Sequence, residues 1–122
     1  MVRTWHMGLN RGAWYDGQPS KRIVTVSIRD GALLLTGRAQ WRLVLGRREI
    51  RSSELARVNR VRTADRCFAG VLLVDATGSE ALLWCDPRES DELVGELSGL
   101  GYPVSDEVYQ PPSRATRTFL GL

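Results

Sequence analysis

The feature that most constrains the fold is a change of hydrophobic period at Asp86. Upstream of it, apolar residues alternate with polar ones in short segments punctuated by glycine. Downstream, Leu93, Val94, Leu97 and Leu100 recur at i, i+1, i+4 and i+7. The first pattern puts side chains on alternate faces of β-strands, and the second draws one apolar stripe along an α-helix. Such a chain must build a set of short strands and then cover them with a single helix. The boundary is marked chemically. Asp86-Pro87-Arg88-Glu89 places Asp at the N-cap, Pro at the first helical position and Glu two residues later, a capping-box arrangement. Glu89, Asp91 and Glu92 suit the positive end of the helix, Gly101 stands where a left-handed cap belongs, and Pro103 forbids continuation.

The strands are read one by one. In Ile23–Ile28, Val24, Val26 and Ile28 take one face, while Thr25 and Ser27 take the other, continued by Arg29. Asp30-Gly31 tolerates positive φ in a tight hairpin, and Ala32–Thr36 returns from it. Trp41–Leu45 reads as a third strand, Gly46-Arg47-Arg48 as a turn, and Glu49–Arg51 as a short fourth strand. A fifth strand covers Val58–Arg62, with Val58 and Val61 turned inward. Gly70–Asp75 and Glu80–Cys85 form a last hairpin around Ala76–Ser79. Seven short strands at hairpin spacing argue for a sandwich or small barrel.

The ends read differently. Residues 1–20, rich in Gly and aromatics, show no sustained period and form an N-terminal arm. Trp5, Trp14 and Tyr15 there are expected to dock on their own domain, with a binding patch as the alternative. Residues 105–122 turn polar and Pro-containing and read as a flexible tail, with Phe119, Leu120 and Leu122 as a candidate docking motif. Met1–Leu9 lacks a long apolar stretch, so no signal peptide is expected, and no apolar run reaches the roughly 18 residues of a membrane span. The expected location is cytoplasmic, with attachment to a membrane surface as the alternative.

Seven strands followed by one capped amphipathic helix resemble the pleckstrin-homology (PH) superfold, over residues 21–104. The resemblance rests on element order, on the hairpin at Asp30-Gly31, and on the hairpin Val71–Cys85 leading into the helix from Asp86. It implies a mainly β fold, a seven-stranded antiparallel bent barrel or sandwich closed by one C-terminal helix. Many eukaryotic PH domains carry a Trp in that helix; here Trp84 lies on the preceding strand, so the chain looks more like the bacterial PH-like branch. PH-like folds bind phosphoinositides, bind peptides or self-associate, so the fold leaves the function open. Lipid-binding members cluster Lys and Arg at the first hairpin. Here the turn is Arg29-Asp30-Gly31-Ala32 with only Lys21 and Arg22 close by, and no phosphoinositide motif is visible.

Catalytic constellations are missing from the sequence. The lone histidine, His6, cannot form a relay without partners on the same arm. Cys67 and Cys85 fit no metal-ligand spacing. They fail as a disulfide as well: Cys85 is expected to face Val71, and a four-residue offset along a strand is about 13 Å. Both are expected to be buried apolar side chains. There is no glycine-rich phosphate loop, and Asp75 and Glu80 flank a turn, where acids are usually solvated. The expectation is a non-enzyme with no cofactor, no metal and no evident small-molecule substrate.

Charge carries what functional signal there is. Residues 1–62 hold 13 Lys/Arg against 4 Asp/Glu, and residues 63–122 hold 4 against 10. The basic excess centres on residues 38–62, making Arg38, Trp41, Arg42, Arg47, Arg48, Arg51, Arg60 and Arg62 the candidate binding residues. They can form a cationic patch with an aromatic platform for anionic lipid or nucleic acid. The competing and preferred reading pairs this surface with the acidic helix, through Glu89, Asp91, Glu92 and Glu96, within one molecule or between copies. The expected function is thus an interaction module that binds a protein partner or itself; the alternative is a polyanion binder working through the Arg-rich strands.

Overall fold

The computed structural model describes residues 3–11, 22–38, 46–63 and 69–111. They form eight strands and one α-helix: β1 (Arg3–Arg11), β2 (Val24–Arg29), β3 (Ala32–Gly37), β4 (Arg47–Ile50), β5 (Leu55–Arg62), β6 (Ala69–Asp75), β7 (Glu80–Cys85), α1 (Pro87–Gly99) and β8 (Val104–Tyr109). A 3-10 turn, Ser52–Glu54, links β4 to β5. The strand order is β4-β3-β2-β1-β7-β6-β5-β8. Neighbours are antiparallel except β5 and β8, which run parallel.

Local chemistry explains the elements that the sequence predicts well. In the β2–β3 hairpin Arg29 faces Ala32, and Asp30 and Gly31 have φ of 52° and 75°. Positive φ at both central residues is the turn whose twist matches the strands. At the start of α1, Glu89 Oε1 accepts from the Asp86 N–H at 3.2 Å. At its end, the Tyr102 N–H reaches the Leu97 carbonyl (3.0 Å) and the Gly101 N–H reaches that of Ser98 (3.1 Å). With Gly101 at φ 86°, this is a complete Schellman cap.

The structure corrects the expected architecture in four respects. Among the described residues the strands number eight, one pair is parallel, and the sheet ends at β4 and β8 without closing into a barrel. The N-terminal arm contributes β1 at the centre of the sheet. Trp5, Met7 and Leu9 alternate there with Thr4, His6 and Gly8, a period of two that the surrounding glycines and aromatics obscure. Residues 104–109, whose greater part was read as the start of the tail, form β8 against β5 because Val104 and Tyr109 pack on the sheet. Finally, Arg47 and Arg48 belong to β4 instead of a turn, paired with Thr36 and Leu35. The predicted strand Trp41–Leu45, Trp14, Tyr15 and residues 112–122 lie outside the described residues.

The β6–β7 register is also two residues from the expected one: Cys85 faces Ala69, not Val71. The turn is displaced one residue toward β6: the Asp75 N–H donates to the Ser79 carbonyl (3.0 Å), and the Asp75 carboxylate accepts from the Thr77 hydroxyl (2.6 Å) and from the Thr77 and Ser79 N–H groups (2.9 and 3.0 Å). Those bonds, led by the Thr77 hydroxyl, hold the Asp75 carboxyl below its ordinary range.

β1 bridges the two halves of the sheet: Arg3–Met7 pairs with β2, and Gly8–Arg11 pairs with β7. The main core lies under this bend. Trp5, Met7, Val26, Leu33, Val71 and Leu83 meet Leu93, Val94 and Leu97 of α1. A second cluster, Val61, Leu72, Leu82 and Trp84, occupies the opposite face of β5–β7, which is why Val71-Leu72-Leu73-Val74 is continuously apolar.

Tyr102, 4% exposed, ties the end of α1 to the far half of the sheet. Its hydroxyl donates to the Ile50 carbonyl and accepts from the Leu33 N–H at 2.9 Å. Tyr102→Phe leaves both backbone groups unpartnered and is expected to cost about 1–3 kcal/mol in denaturant unfolding. Burial raises the Tyr102 pKa above its ordinary value. A raised folded pKa means stability is full below the unfolded value, near pH 10, and declines as pH rises toward the folded value. The variant should therefore lose that part of the alkaline decline. An unchanged midpoint and an unchanged alkaline limb would both contradict this role.

Candidate interaction surface

Eight of the described arginines fall into two groups according to what faces them. The first group is spent on the acidic helix. Arg3 on β1 donates to Glu92 and Glu96, both at 2.7 Å, and its guanidinium lies 5.3 Å from the Trp5 ring centroid. Trp5 Nε1 also donates to Glu92 at 3.3 Å. Arg22 reaches Glu89 at 3.0 Å and Asp86 at 3.3 Å. On β5, Arg60 and Arg62 share the Asp91 carboxylate at 3.1 and 3.0 Å. Residues 58, 60 and 62 fall on the helix-facing side of β5, so alternation brings both arginines to α1. Arg62 adds a 3.3 Å bond to Ser90 Oγ, which donates to the Gly70 carbonyl at 2.7 Å.

These contacts are half exposed, so each contributes little alone and matters chiefly as part of a network. The hydrogen bond from Arg88, then that from Trp5, lowers the Glu92 pKa. A lowered folded pKa supports the fold above the ordinary carboxylate value, and the support fades as pH falls through the folded one.

The second group sits on the edge strand. Arg47 and Arg48 are exposed on β4, and Arg51 follows directly, exposed and paired with Glu49 at 3.0 Å. Arg29 faces the same side as Arg47, Glu49 and Arg51, across a cleft of about 400 Å³ whose floor includes Ala32 and Leu34. Neither Arg29 nor Arg47 has an ion-pair partner among the described residues. A second opening of about 490 Å³ lies between β4 and the β6–β7 turn, with Arg48 opposite Glu54, Asp75 and Glu80 over Ile50, Leu55 and Leu73.

The eight candidate residues are therefore not one patch. Arg47, Arg48 and Arg51 stay together on the β4 edge, and Arg60 and Arg62 pair with Asp91 of α1 on the other half of the sheet. Arg38 is half-buried and donates to the Arg22 carbonyl at 3.0 Å. Trp41 and Arg42 lie outside the described residues. The sequence reading omitted Arg3 and Arg22 as partners of the helix, and Arg29 as a neighbour of β4. The alternation Trp5-Met7-Leu9 is the signal that would have placed Arg3 in the sheet.

The remaining chemistry-bearing residues are quiet. His6 Nδ1 lies 3.3 Å from Thr25 Oγ1 on the exposed face of β1–β2. Burial pushes the Cys85 thiol up to about 12, so it stays protonated and a poor nucleophile at neutral pH; Cys67 lies outside the described residues. Among the described residues no group of three His, Cys, Asp or Glu is placed to hold a metal ion. None of their helices is long and apolar enough to cross a membrane.

A bent, β-rich sheet in the order β4-β3-β2-β1-β7-β6-β5, with a helix following β7 and packed on β5 and β6, defines a PH-like fold. Among solved structures the chain is similar to one in the structure of the Spt16D Pob3N heterodimer, with a TM-score of 0.56 and 12% identity. The match covers 93% of this chain and 56% of that one, so the chain spans little more than half its solved neighbour. At this identity the likeness is one of fold. No family model matches the sequence, and no curated protein matches it.

Proposed function

We propose that the chain is a non-enzymatic PH-like interaction module that binds a protein partner along the open edge of its sheet at β4. One observation carries this reading. The helix acids engage Arg3 of β1 and Arg60 and Arg62 of β5 within the molecule, while Arg47 and Arg48 remain exposed on a strand that has a single strand neighbour among the described residues. An unpaired edge presents a row of backbone donors and acceptors, and a flanking cation row selects an acidic extended segment. The structural neighbour's heterodimeric assembly is consistent with a protein partner. A Trp-free α1 supports placing the module in the bacterial PH-like branch, and a cytoplasmic location goes with that reading. Binding of lipid or nucleic acid has weaker support, because Asp30 and Glu49 share the cleft with the arginines and Arg60 and Arg62 are engaged by Asp91.

The test is a titration with a labelled peptide that alternates valine with glutamate. It is expected to bind the wild-type chain, and Arg47→Glu with Arg48→Glu should weaken binding about tenfold or more. Arg60→Glu, on the other half of the sheet, should leave it unchanged. Equal binding by all three proteins would refute the edge reading. Strong retention on heparin or anionic vesicles, falling with salt at about one log unit per phosphate neutralised, would favour the polyanion alternative.

A further inference from the structure

The two ends of the sheet are complementary. β4, at one end, reads Arg47-Arg48-Glu49-Ile50 and is followed by Arg51. β8, at the other, reads Val104-Ser105-Asp106-Glu107-Val108-Tyr109. Among the described residues each has one strand neighbour, β3 and β5 respectively. Asp106 and Glu107 are exposed and have no ion pair among the described residues, just as Arg47 has none. Beside them Val108 is 49% exposed, the most exposed large hydrophobic residue among those described. An edge strand offers backbone groups for pairing, and its charges and the register shift in β8 between Val104 and Val108 restrict it to a partner of opposite charge.

We propose that β8 of one copy adds to β4 of a second copy, continuing the sheet from molecule to molecule. This rests on β4 being a docking edge and names its occupant. The edges complement each other in charge, the arginine stems can cover Val108, and backbone groups flanking Glu107 are left for the ladder, since the Glu107 N–H donates to Ser105 Oγ and its carbonyl accepts from Asn59. Within one molecule six strands separate β4 from β8 in the sheet order. Because two different surfaces meet, the contact is heterologous. It therefore propagates into rings or open chains and does not stop at a two-fold dimer. β4 offers only four residues to the ladder. So short an interface is a weak one, populated at high protein concentration and low salt.

The experiment is sedimentation velocity of the full chain over a concentration series at low and high salt. The mean mass is expected to rise with concentration at low salt and to fall back as salt is added. Two variants then test the pairing: Arg47→Glu with Arg48→Glu, and Asp106→Lys with Glu107→Lys. Each alone places like charges edge to edge and should weaken association about tenfold or more. An equimolar mixture restores opposite charges at every contact and should regain wild-type association. That recovery also shows that neither variant is misfolded.

A chain monomeric at all concentrations, or a mixture no more associated than its components, overturns the inference. Self-association lost with the β4 variant but untouched by the β8 variant overturns it too. If the chain is monomeric yet the valine–glutamate peptide still binds in a way that depends on Arg47 and Arg48, the self-pairing fails and the edge reading stands. If neither occurs, both fail.

Discussion

Leu97→Asp is expected to unfold the domain. Leu97 is fully buried in the main core, beside Leu93 and Val94, on the face of α1 that packs on β5 and β6. A carboxylate there has no cation in reach of the interior and must either be desolvated or drag the helix off the sheet. Either course costs several kcal/mol, comparable to the roughly 5–15 kcal/mol that stabilises a domain of this size. Undocking α1 also removes the partners of Arg3, Arg22, Arg60 and Arg62, because those contacts all converge on one helix. Circular dichroism during thermal melting should show a large drop in midpoint or no folded baseline. The milder Leu97→Ala should lose about 2–5 kcal/mol from the cavity alone. A melting midpoint unchanged by the Asp substitution would mean that Leu97 does not face the core.

Gly70→Ala is expected to be the most damaging single-methyl change. A β-carbon at Gly70 would stand 2.3 Å from the Leu83 carbonyl oxygen. That atom is backbone in the adjacent strand, so no side-chain rotation relieves the clash; β6 and β7 must separate. Gly70 sits opposite Trp84 in their ladder, and its own carbonyl accepts from Ser90 of α1. Moving it disturbs the sheet and the helix together. Overpacking of a rigid core typically costs about 1–3 kcal/mol and occasionally more. The upper end is expected here, since both neighbours are main chain. Equilibrium unfolding in urea is the appropriate measurement, with Gly95→Ala as its control. Gly95 is helical with open space around its β-position, and alanine there should be neutral or stabilising. Equal stability of Gly70→Ala and wild type would show that the strands can part without cost.

The parts of the fold that the sequence makes legible are those whose cause is local. The Asp30-Gly31 hairpin, the capped start of α1 at Asp86 and its stop at Gly101 each depend on a few consecutive residues. β1 was harder to see. Its alternation at Trp5, Met7 and Leu9 is present, but glycine-rich and aromatic neighbours dilute it, and a central strand is recognised chiefly by the two strands flanking it. β8 carries three consecutive polar residues at its centre, and its place depends on Val58, Arg60 and Val61 of a strand more than forty residues earlier. The displaced β6–β7 turn follows from the Asp75 carboxylate closing a loop on its own backbone, a side-chain contact that strand periodicity cannot register.

The candidate surface shows the same division. That residues 38–62 are arginine-rich and the helix acidic is plain in the sequence. Which arginines remain available is decided by geometry. Arg60 and Arg62 alternate on the side of β5 that meets Asp91 of α1, whereas Arg47 and Arg48 lie on a strand with no neighbour on one side among the described residues. By itself the sequence determined that short strands are covered by one capped helix, and that opposite charge gathers in the two halves of the chain. Periodicity, turn chemistry and composition act over a few residues, and so they can be read directly. Only the tertiary structure decided that the N-terminal segment is a central strand, that the sheet stays open, and that one basic edge and one acidic edge are left at its ends. Those outcomes depend on which distant strands bury each other's faces, a choice that no local pattern encodes.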